Sequence, residues 1–283
     1  MSGVIGGLAA ALLWGASGVA AARSGRAIGA EAALGWVYVV GLAAILPVAA
    51  IAGGTPDVDV EPVLWALLGV AGAVTSLYLM YAALSRGPVS VVMPLTAAQG
   101  GLAALVAVAA GASLRGVAAV ALVVMSVGMY LAMRRPSAPE HAATHSTLAV
   151  GLAALSAATA AFALFASPRA ARALGTLWML AILRIGGVLG VTVPLAITRR
   201  LRIPRGVVRF VVFSGVADAA AFGSYIYAAK TSGVVVPAVL SSQYAAVSAI
   251  IAALTLGERL TRLQLAGVVA ILAAVAVVTA VQA

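Results

Sequence analysis

Long apolar stretches, separated by short segments rich in glycine, proline or charge, fill almost the whole chain. Most of these stretches are about 20 residues long, which is the length that an α-helix needs to cross a bilayer. Reading the glycines, prolines and charged residues as breaks predicts ten helices. Their predicted limits are 4–22, 32–52, 61–84, 88–110, 113–133, 147–166, 174–197, 206–229, 233–255 and 261–281. The pattern therefore predicts an all-α integral membrane protein with ten transmembrane helices.

A long polar segment separates the fifth and sixth predicted helices, at residues 134–146 in the middle of the chain. It predicts a linker between a first five-helix repeat at 1–133 and a second at 147–283. A constant shift of 146 residues places YAALSRGPVSVV, beginning at Tyr81, on YAAKTSGVVVPA, beginning at Tyr227. Because each repeat has an odd number of helices, the second copy must enter the membrane upside down. Inverted repeats are typical of secondary transporters, whose substrate sites lie near the bilayer midplane.

Composition agrees with a membrane protein, since 64% of the residues are hydrophobic, 8% are charged and the mean hydropathy is +1.16. Soluble domains carry about 25% charged residues. The chain has no cysteine, which excludes disulfides, thiolate metal sites and cysteine nucleophiles. Its formal net charge of +10 is attributed to loop arginines that set membrane orientation, so no nucleic-acid partner is expected.

The basic residues also predict an orientation, because successive loops alternate between the two faces of the membrane. Twelve of the 17 Lys and Arg residues fall on one face and four on the other, while Arg184 lies inside a helix. The positive-inside rule places the arginine-rich face in the cytoplasm. Both termini are then predicted to be extracytoplasmic, together with the acidic loop that contains Asp57 and Asp59. The expected location is the cytoplasmic membrane, with multiple spans.

Two charged residues, Asp218 and Arg184, fall inside the antiparallel predicted helices 8 and 7. At 1.5 Å rise per residue, Arg184 lies about 12 Å and Asp218 about 16 Å from the shared outer face, so the two could meet. A charge at the bilayer centre costs at least about 2.5 kcal/mol. Three interpretations of Asp218 follow. It is one half of a structural ion pair, or a carboxylate that couples transport to protons or binds a cationic substrate group. The third interpretation is a protonated acid with no functional role.

The neighbours of Asp218 on its helix face define a candidate substrate cavity. Stripes of polar and aromatic residues on other helices could complete it, although such stripes also hold helices together. A tryptophan in the middle of helix 1 is a further candidate for the wall, with a packed core aromatic as the alternative. The candidate cavity residues are Trp14, Gln99, Asp218, Phe222, Tyr225, Ser241 and Tyr244.

Prolines and glycines mark irregular or closely packed helices. Pro94, Pro194 and Pro237 are expected to interrupt backbone hydrogen bonding inside helices 4, 7 and 9. In a bilayer such interruptions are tolerated where protein or a cavity satisfies the freed groups. Gly186 and Gly190 form a GxxxG step that predicts a close helix contact.

Other polar groups are given structural interpretations. Glu258 lies at a corner between helices, where a cap or ion pair is expected and a gate is the alternative. Glu140, His141 and His145 have a spacing found in metal sites, but no third ligand or HExxH pattern accompanies them. The linker is therefore predicted to be solvated, and the sequence predicts no metal, no cofactor and no enzymatic activity.

Several of these segments resemble the EamA-type carriers of the drug/metabolite transporter superfamily. They are LLWG at 12–15, the two YAA helix ends, the small residue before a valine-rich run at Gly87 and Gly233, and GERLT at 257–261. In the first repeat Ala112 replaces the glutamate of the GERLT motif, so that copy departs from the pattern. The resemblance implies ten helices, a central cavity between the repeats, and export or exchange of small metabolites.

The sequence is thus interpreted as a secondary transporter of small organic metabolites, such as amino acids or related compounds. The rival within the superfamily is efflux of hydrophobic cations, with Asp218 as the counter-charge and aromatic rings as the wall. A channel or a lipid scramblase is the alternative from another class. The expected partners are a small-molecule substrate, the lipid bilayer and protons as a candidate coupling ion, with the chain as a monomer or a homodimer.

Overall fold

The computed structural model describes residues 2–84, 86, 89–112 and 143–256, together with isolated helical positions at 116, 120, 123, 124, 127 and 266. Every regular element within these residues is helical. The predicted helices 5 and 10 lie largely outside the described residues. So do Glu258, Glu140 and His141 and the side chain of His145.

The first half of the chain forms five described helices. They are α1 (Ser2–Ile28), α2 (Ala30–Ala52), α3 (Val60–Leu84), α4 (Val89–Ala97) and α5 (Gln99–Ala109). In the second half, α6 (Ala143–Leu174) and α7 (Thr176–Gly187) lead through a π-helical segment (Val188–Thr192) into α8 (Val193–Ile197). A 3₁₀ turn (Arg205–Val207) precedes α9 (Val208–Ser232), which is followed by α10 (Val235–Ser241) and α11 (Tyr244–Leu256).

Six of the described segments are long and apolar enough to cross a membrane. They are Ser2–Gly25, Ala30–Ala52, Val60–Ala83, Thr147–Leu174, Thr176–Ile197 and Arg205–Ser232, and two shorter apolar helices cover Leu95–Ala109 and Val235–Ser248. Large apolar side chains such as Ile51 and Val60 are exposed, at 88% and 76%. An apolar exterior of this kind is stable in lipid rather than in water, so the chain is a multi-pass membrane protein.

The bundle has two distinct ends. At one of them, which we call the N-terminal end, Ser2 lies beside Thr231, and Trp178 donates a hydrogen bond to the carbonyl of Gly54 at 2.9 Å. At the other, which we call the arginine-rich end, the guanidinium groups of Arg23 and Arg209 lie 5.6 and 4.7 Å from the centre of the Phe210 ring. The loops thus gather on the two faces that the alternation of helices predicts.

The two halves are repeats of opposite orientation. Gly29 and Gly175, which are 146 residues apart, precede α2 and α7 in the same left-handed conformation, with φ of 85° and 82°. This conformation favours glycine, because a Cβ would be strained there. Gly29 lies at the arginine-rich end and Gly175 at the N-terminal end, so α2 and α7 are antiparallel. The shift found in the sequence therefore relates equivalent backbone positions of an inverted repeat.

Helix α6 is longer than predicted, because it continues from 166 through Pro168 to Leu174. Proline has no backbone N–H, so the carbonyl of Leu164, four residues earlier, loses its helical partner. The hydroxyl of Tyr225 on α9 donates a hydrogen bond of 2.6 Å to this carbonyl. A neighbouring helix thus satisfies the freed group, and the helix tolerates its proline.

Two predicted spans are interrupted instead of continuous. The span predicted at 88–110 breaks at Ala98, between α4 and α5, and the one at 233–255 breaks at residues 242–243, between α10 and α11. The expectation that Pro237 interrupts a helix interior is wrong, since Pro237 lies in the first turn of α10, where no intrahelical N–H bond is needed. The π-helical segment Val188–Thr192, in contrast, ends two residues before Pro194.

Candidate functional site

Asp218 and Arg184 form a buried ion pair between α9 and α7. Arg184 Nη1 lies 2.6 Å from Asp218 Oδ2, and the exposed fractions of the two residues are 2% and 8%. The second carboxylate oxygen, Oδ1, accepts a hydrogen bond of 2.9 Å from Trp14 Nε1 on α1. Three helices from the two repeats therefore meet at one carboxylate, and both of its oxygens have a charged or polar partner.

Arg184 lies in a niche formed by α2. A methyl group added to Gly41 would lie 3.0 Å from Arg184 Cδ, so the absence of a side chain at this position makes room for the arginine stem. The guanidinium carbon lies 5.9 Å from the centre of the Tyr38 ring, within cation–π distance. Arg184 Nε is buried and has no hydrogen-bond partner among the described residues. One strong donor at the site is thus unsatisfied.

The niche is built symmetrically about the interface of α2 and α7. Tyr38 and Arg184 are 146 residues apart, and so are Gly41 and Gly187. Gly41 packs against Arg184, and Gly187 packs against the Tyr38 ring, so each glycine accommodates the large side chain of the other repeat. Tyr38 and Arg184 consequently lie on either side of the pseudo-symmetry axis between the two repeats. Sequence reasoning missed Tyr38, Gly41 and Gly187, although the 146-residue shift already relates them.

Trp14 is the centre of an aromatic cluster beside the ion pair. Its ring centroid lies 5.5 Å from that of Phe222 in an edge-to-face arrangement, and 6.3 Å from those of Tyr225 and Tyr244. Trp14 and Phe222 are half-buried, whereas Tyr225 and Tyr244 are exposed by only 0% and 6%. Four of the predicted cavity residues thus form one aromatic cluster, and one of them, Trp14, contacts Asp218 in this conformation.

Tyr225 and Tyr244 also form hydrogen bonds, and Ser241 and Gln99 are not part of the aromatic cluster. Tyr225 is engaged through its hydroxyl with Leu164, and the Tyr244 hydroxyl lies 3.0 Å from Thr96 Oγ1. Ser241 is fully buried and donates to the carbonyl of Ala238, three residues earlier on its own helix. Gln99 begins α5, immediately after the break at Ala98. Among the described residues, Tyr225 and Tyr244 thus combine ring packing against Trp14 with hydrogen bonds to other helices.

A separate cavity of about 580 Å³ lies at the arginine-rich end of the bundle. The corner between α1 and α2, the end of α3, the start of α6 and the segment around Leu195 and Arg200 form its walls. None of the seven predicted cavity residues lines it. Within the described residues, no group of three or more His, Cys, Asp or Glu side chains could hold a metal ion.

Two inverted repeats that enclose a charged pair at their interface define a helical membrane protein of the kind that secondary transporters use. The sequence model of the EamA-like transporter family matches this chain twice, at residues 1–134 and 147–280. The chain belongs to this family, and the resemblance found in the sequence is confirmed.

A solved crystal structure has the same fold over nearly the entire chain. The two superpose with a TM-score of 0.80 at 19% sequence identity, and the match covers 99% of this chain and 97% of that one. At this level of identity the likeness supports the fold alone. No curated protein matches the chain.

Proposed function

We propose that this protein is a secondary transporter that exports or exchanges small organic metabolites, amino acids or related compounds, by alternating access. The observation that carries the proposal is the unsatisfied Nε of Arg184, next to the carboxylate of Asp218, at the interface of the inverted repeats. Leaving a buried donor without a partner costs about 1–3 kcal/mol. A ligand carboxylate that accepts this hydrogen bond would remove the cost, so the site favours binding of an anionic group.

The same site can accept both charges of a zwitterion. A substrate carboxylate would bind Arg184, and a substrate ammonium would compete with Arg184 for Asp218. Either a substrate ammonium or a proton on Asp218 would weaken the bond between the two helices that carry the pair. Binding is thereby linked to the packing of α7 against α9, which is the physical requirement for coupling substrate or protons to a change of conformation.

A second candidate function is efflux of hydrophobic cations, and the aromatic cluster favours it. Trp14 and Phe222 present half-buried rings next to the Asp218 carboxylate. Aromatic faces attract cations, and the interaction is stronger when water is excluded. In this alternative Arg184 would hold Asp218 in place and would make no contact with the substrate.

Counterflow in proteoliposomes tests the proposal and separates the two candidates. Wild type is expected to exchange at least one amino acid from a panel of amino acids and organic cations, with stimulation by an imposed pH gradient. Asp218→Asn, which keeps a hydrogen-bond acceptor for Arg184, is expected to lose at least 90% of this exchange while remaining folded, a drop of about 1.4 kcal/mol or more in productive binding. Exchange of cations alone would favour the second candidate. Asp59→Asn, in an exposed loop, is the matched control.

We further propose ten transmembrane helices, as repeats at 1–133 and 147–283 joined by a linker at 134–146, in the cytoplasmic membrane. The arginines support an orientation with their end of the bundle in the cytoplasm and the N-terminal end outside. Arg23, Arg200 and Arg209 belong to this arginine-rich end.

Cysteine labelling tests this orientation directly, because the chain has no cysteine of its own. In intact cells a membrane-impermeant maleimide is expected to label Asp59→Cys and to leave Arg202→Cys unlabelled until the cells are permeabilised. Both positions are exposed, so labelling reports the side of the membrane and not burial. The reverse pattern would show that the N-terminal end is cytoplasmic.

A further inference from the structure

The cavity at the arginine-rich end has the dimensions and the charge pattern of a binding site. Its volume of about 580 Å³ is within the range of about 300–1,000 Å³ that is usual for small-molecule sites. Its lining combines apolar residues with Glu31, Tyr78, Tyr81, Arg86 and Arg200. An acid and basic groups therefore face the same space.

Glu31 and Arg200 line the cavity without pairing with each other. Within the described part of the chain, Glu31 accepts one hydrogen bond, from the hydroxyl of Tyr78 at 3.3 Å, and the Arg200 side chain forms no ion pair. Both residues are exposed and retain their capacity for a charged ligand. Opposite charges that remain separate across one cavity match a ligand that carries both an ammonium and a carboxylate group.

The deeper wall of the cavity is apolar. Leu34, Leu195 and Tyr81 line it and are exposed by only 0%, 9% and 7%. An aliphatic or aromatic side chain of a ligand would gain about 25 cal/mol for each Å² of apolar surface that it buries against them. The cavity thus selects an amphipathic ligand, with its charges at the mouth and its apolar part inside.

The cavity and the midplane ion pair are separated by one packed layer. Leu34, Leu195 and Tyr81 belong to the same apolar cluster as Tyr38. Arg184 lies next to Tyr38, with its guanidinium carbon 5.9 Å from the ring centre. Because each site offers a carboxylate and at least one guanidinium group, a ligand selected at the cavity has charges that fit the pair.

At the N-terminal end of the bundle, in contrast, one basic and two aromatic side chains of α3 and α6 stack on each other. The guanidinium carbon of Arg169 lies 3.4 Å from the centre of the Phe165 ring and 5.6 Å from that of Trp65. Trp65 and Phe165 also pack edge to face, with their centroids 6.0 Å apart.

We propose that this cavity is an access site that binds an apolar α-amino acid as a zwitterion before it reaches the midplane. Arg200 binds the carboxylate, Glu31 binds the ammonium group, and the wall of Leu34, Leu195 and Tyr81 receives the side chain. The inference rests on the proposed transport function for its direction, but the binding itself does not require transport. It assigns a substrate class to residues outside the predicted cavity set.

Calorimetric titration of the purified full-length protein in detergent tests the access site with three matched probes. L-leucine carries both charges, 4-methylpentanoate lacks the ammonium group, and 3-methylbutylamine lacks the carboxylate. Wild type is expected to bind L-leucine most tightly. Arg200→Gln is expected to weaken L-leucine and 4-methylpentanoate about tenfold and to leave the amine unchanged, since a lost charged hydrogen bond of about 1.4 kcal/mol or more corresponds to that factor. Glu31→Gln is expected to weaken binding of L-leucine and 3-methylbutylamine about tenfold and to leave binding of 4-methylpentanoate unchanged.

The controls separate the access site from general electrostatics and from the midplane site. Arg202→Gln removes the same charge two residues away, outside the cavity lining, and is expected to change nothing. The effect of Arg200→Gln is expected to persist in an Asp218→Asn background. Equal losses in Arg202→Gln and Arg200→Gln, unchanged affinities in both cavity variants, or no binding of any probe would overturn the access site. Asp218-dependent counterflow with normal Arg200→Gln binding would leave the transport proposal intact and refute the access site alone.

Discussion

Asp218→Ala is expected to lower the free energy of unfolding by about 3–5 kcal/mol, because it leaves the guanidinium group of Arg184 buried and unpaired. Arg184 is only 2% exposed, and its niche against Gly41 and Tyr38 gives it no second acceptor among the described residues. Arg184→Ala is expected to lower the free energy of unfolding by a similar amount, since Asp218 would retain only the hydrogen bond from Trp14. Thermal denaturation of the detergent-solubilised protein measures both losses.

The double variant Arg184→Ala, Asp218→Ala is expected to be more stable than either single variant. Removing both charges removes the desolvation penalty together with the attraction, so the two effects are strongly non-additive. Asp218→Asn is the milder control, because its amide oxygen can still accept a hydrogen bond from Arg184, although its NH2 group then replaces the oxygen that accepts from Trp14. A single alanine variant with wild-type stability would show that the pair is not required for folding, and additive losses in the double variant would show that the two side chains do not stabilise each other.

These stability measurements complement counterflow by separating the two roles of Asp218. A residue that is only structural loses function in proportion to folded protein. A residue at a substrate site loses function in Asp218→Asn while the protein remains folded. The present geometry supports both roles at once, since the carboxylate has two partners and the neighbouring Arg184 Nε has none among the described residues.

The sequence predicted the family, the repeat shift and the six long spans found among the described residues, because these depend on long-range patterns of hydropathy and spacing. Apolar stretches of about 20 residues are sufficient to identify membrane helices. Equivalent glycines such as Gly29 and Gly175 recur at the repeat distance, since the same helix start needs the same left-handed conformation in both copies. The approach of Asp218 to Arg184 was also predictable from their similar depth on antiparallel helices.

The sequence could not predict which group satisfies each irregular backbone position. Pro168 suggested the end of a helix, yet α6 continues because a hydroxyl from α9 replaces the lost bond at Leu164. That replacement depends on the packing of two helices that are far apart in the chain. The assignment of Tyr225 to a cavity wall likewise ignored this bond. Tertiary partners, and not local propensity, decide both outcomes.

The cavity at the arginine-rich end was missed for a related reason. Its lining comes from four separate segments, and its charged members, Glu31, Arg86 and Arg200, have the sequence pattern of ordinary loop charges. In sequence these residues are indistinguishable from the groups that set membrane orientation. Only the fold shows that they face one space.

Gly187→Ala is expected to destabilise the protein by about 1–3 kcal/mol and to reduce transport, because the new methyl group would overlap with the Tyr38 ring at the symmetry axis. The backbone conformation itself is ordinary helix, so the cost arises from packing and not from strain in φ. An alanine is otherwise favoured over glycine in a helix by about 1 kcal/mol. The sign of the measured change therefore reports whether α2 and α7 are in close contact here.

Two further variants decide whether contact with Tyr38 is the cause. Gly151→Ala on α6, where an added methyl group has no atom within 4 Å, is expected to leave the melting temperature unchanged or to raise it. Tyr38→Ala combined with Gly187→Ala removes the overlapping ring, so the cost of the added methyl group is expected to be smaller in the Tyr38→Ala background than in wild type. If Gly187→Ala costs the same in both backgrounds, a partner other than Tyr38 opposes the methyl group. If it costs nothing in wild type, the two helices separate readily enough at this axis to accept it, and the close reciprocal packing of Gly41 with Arg184 and of Gly187 with Tyr38 does not hold the repeats together.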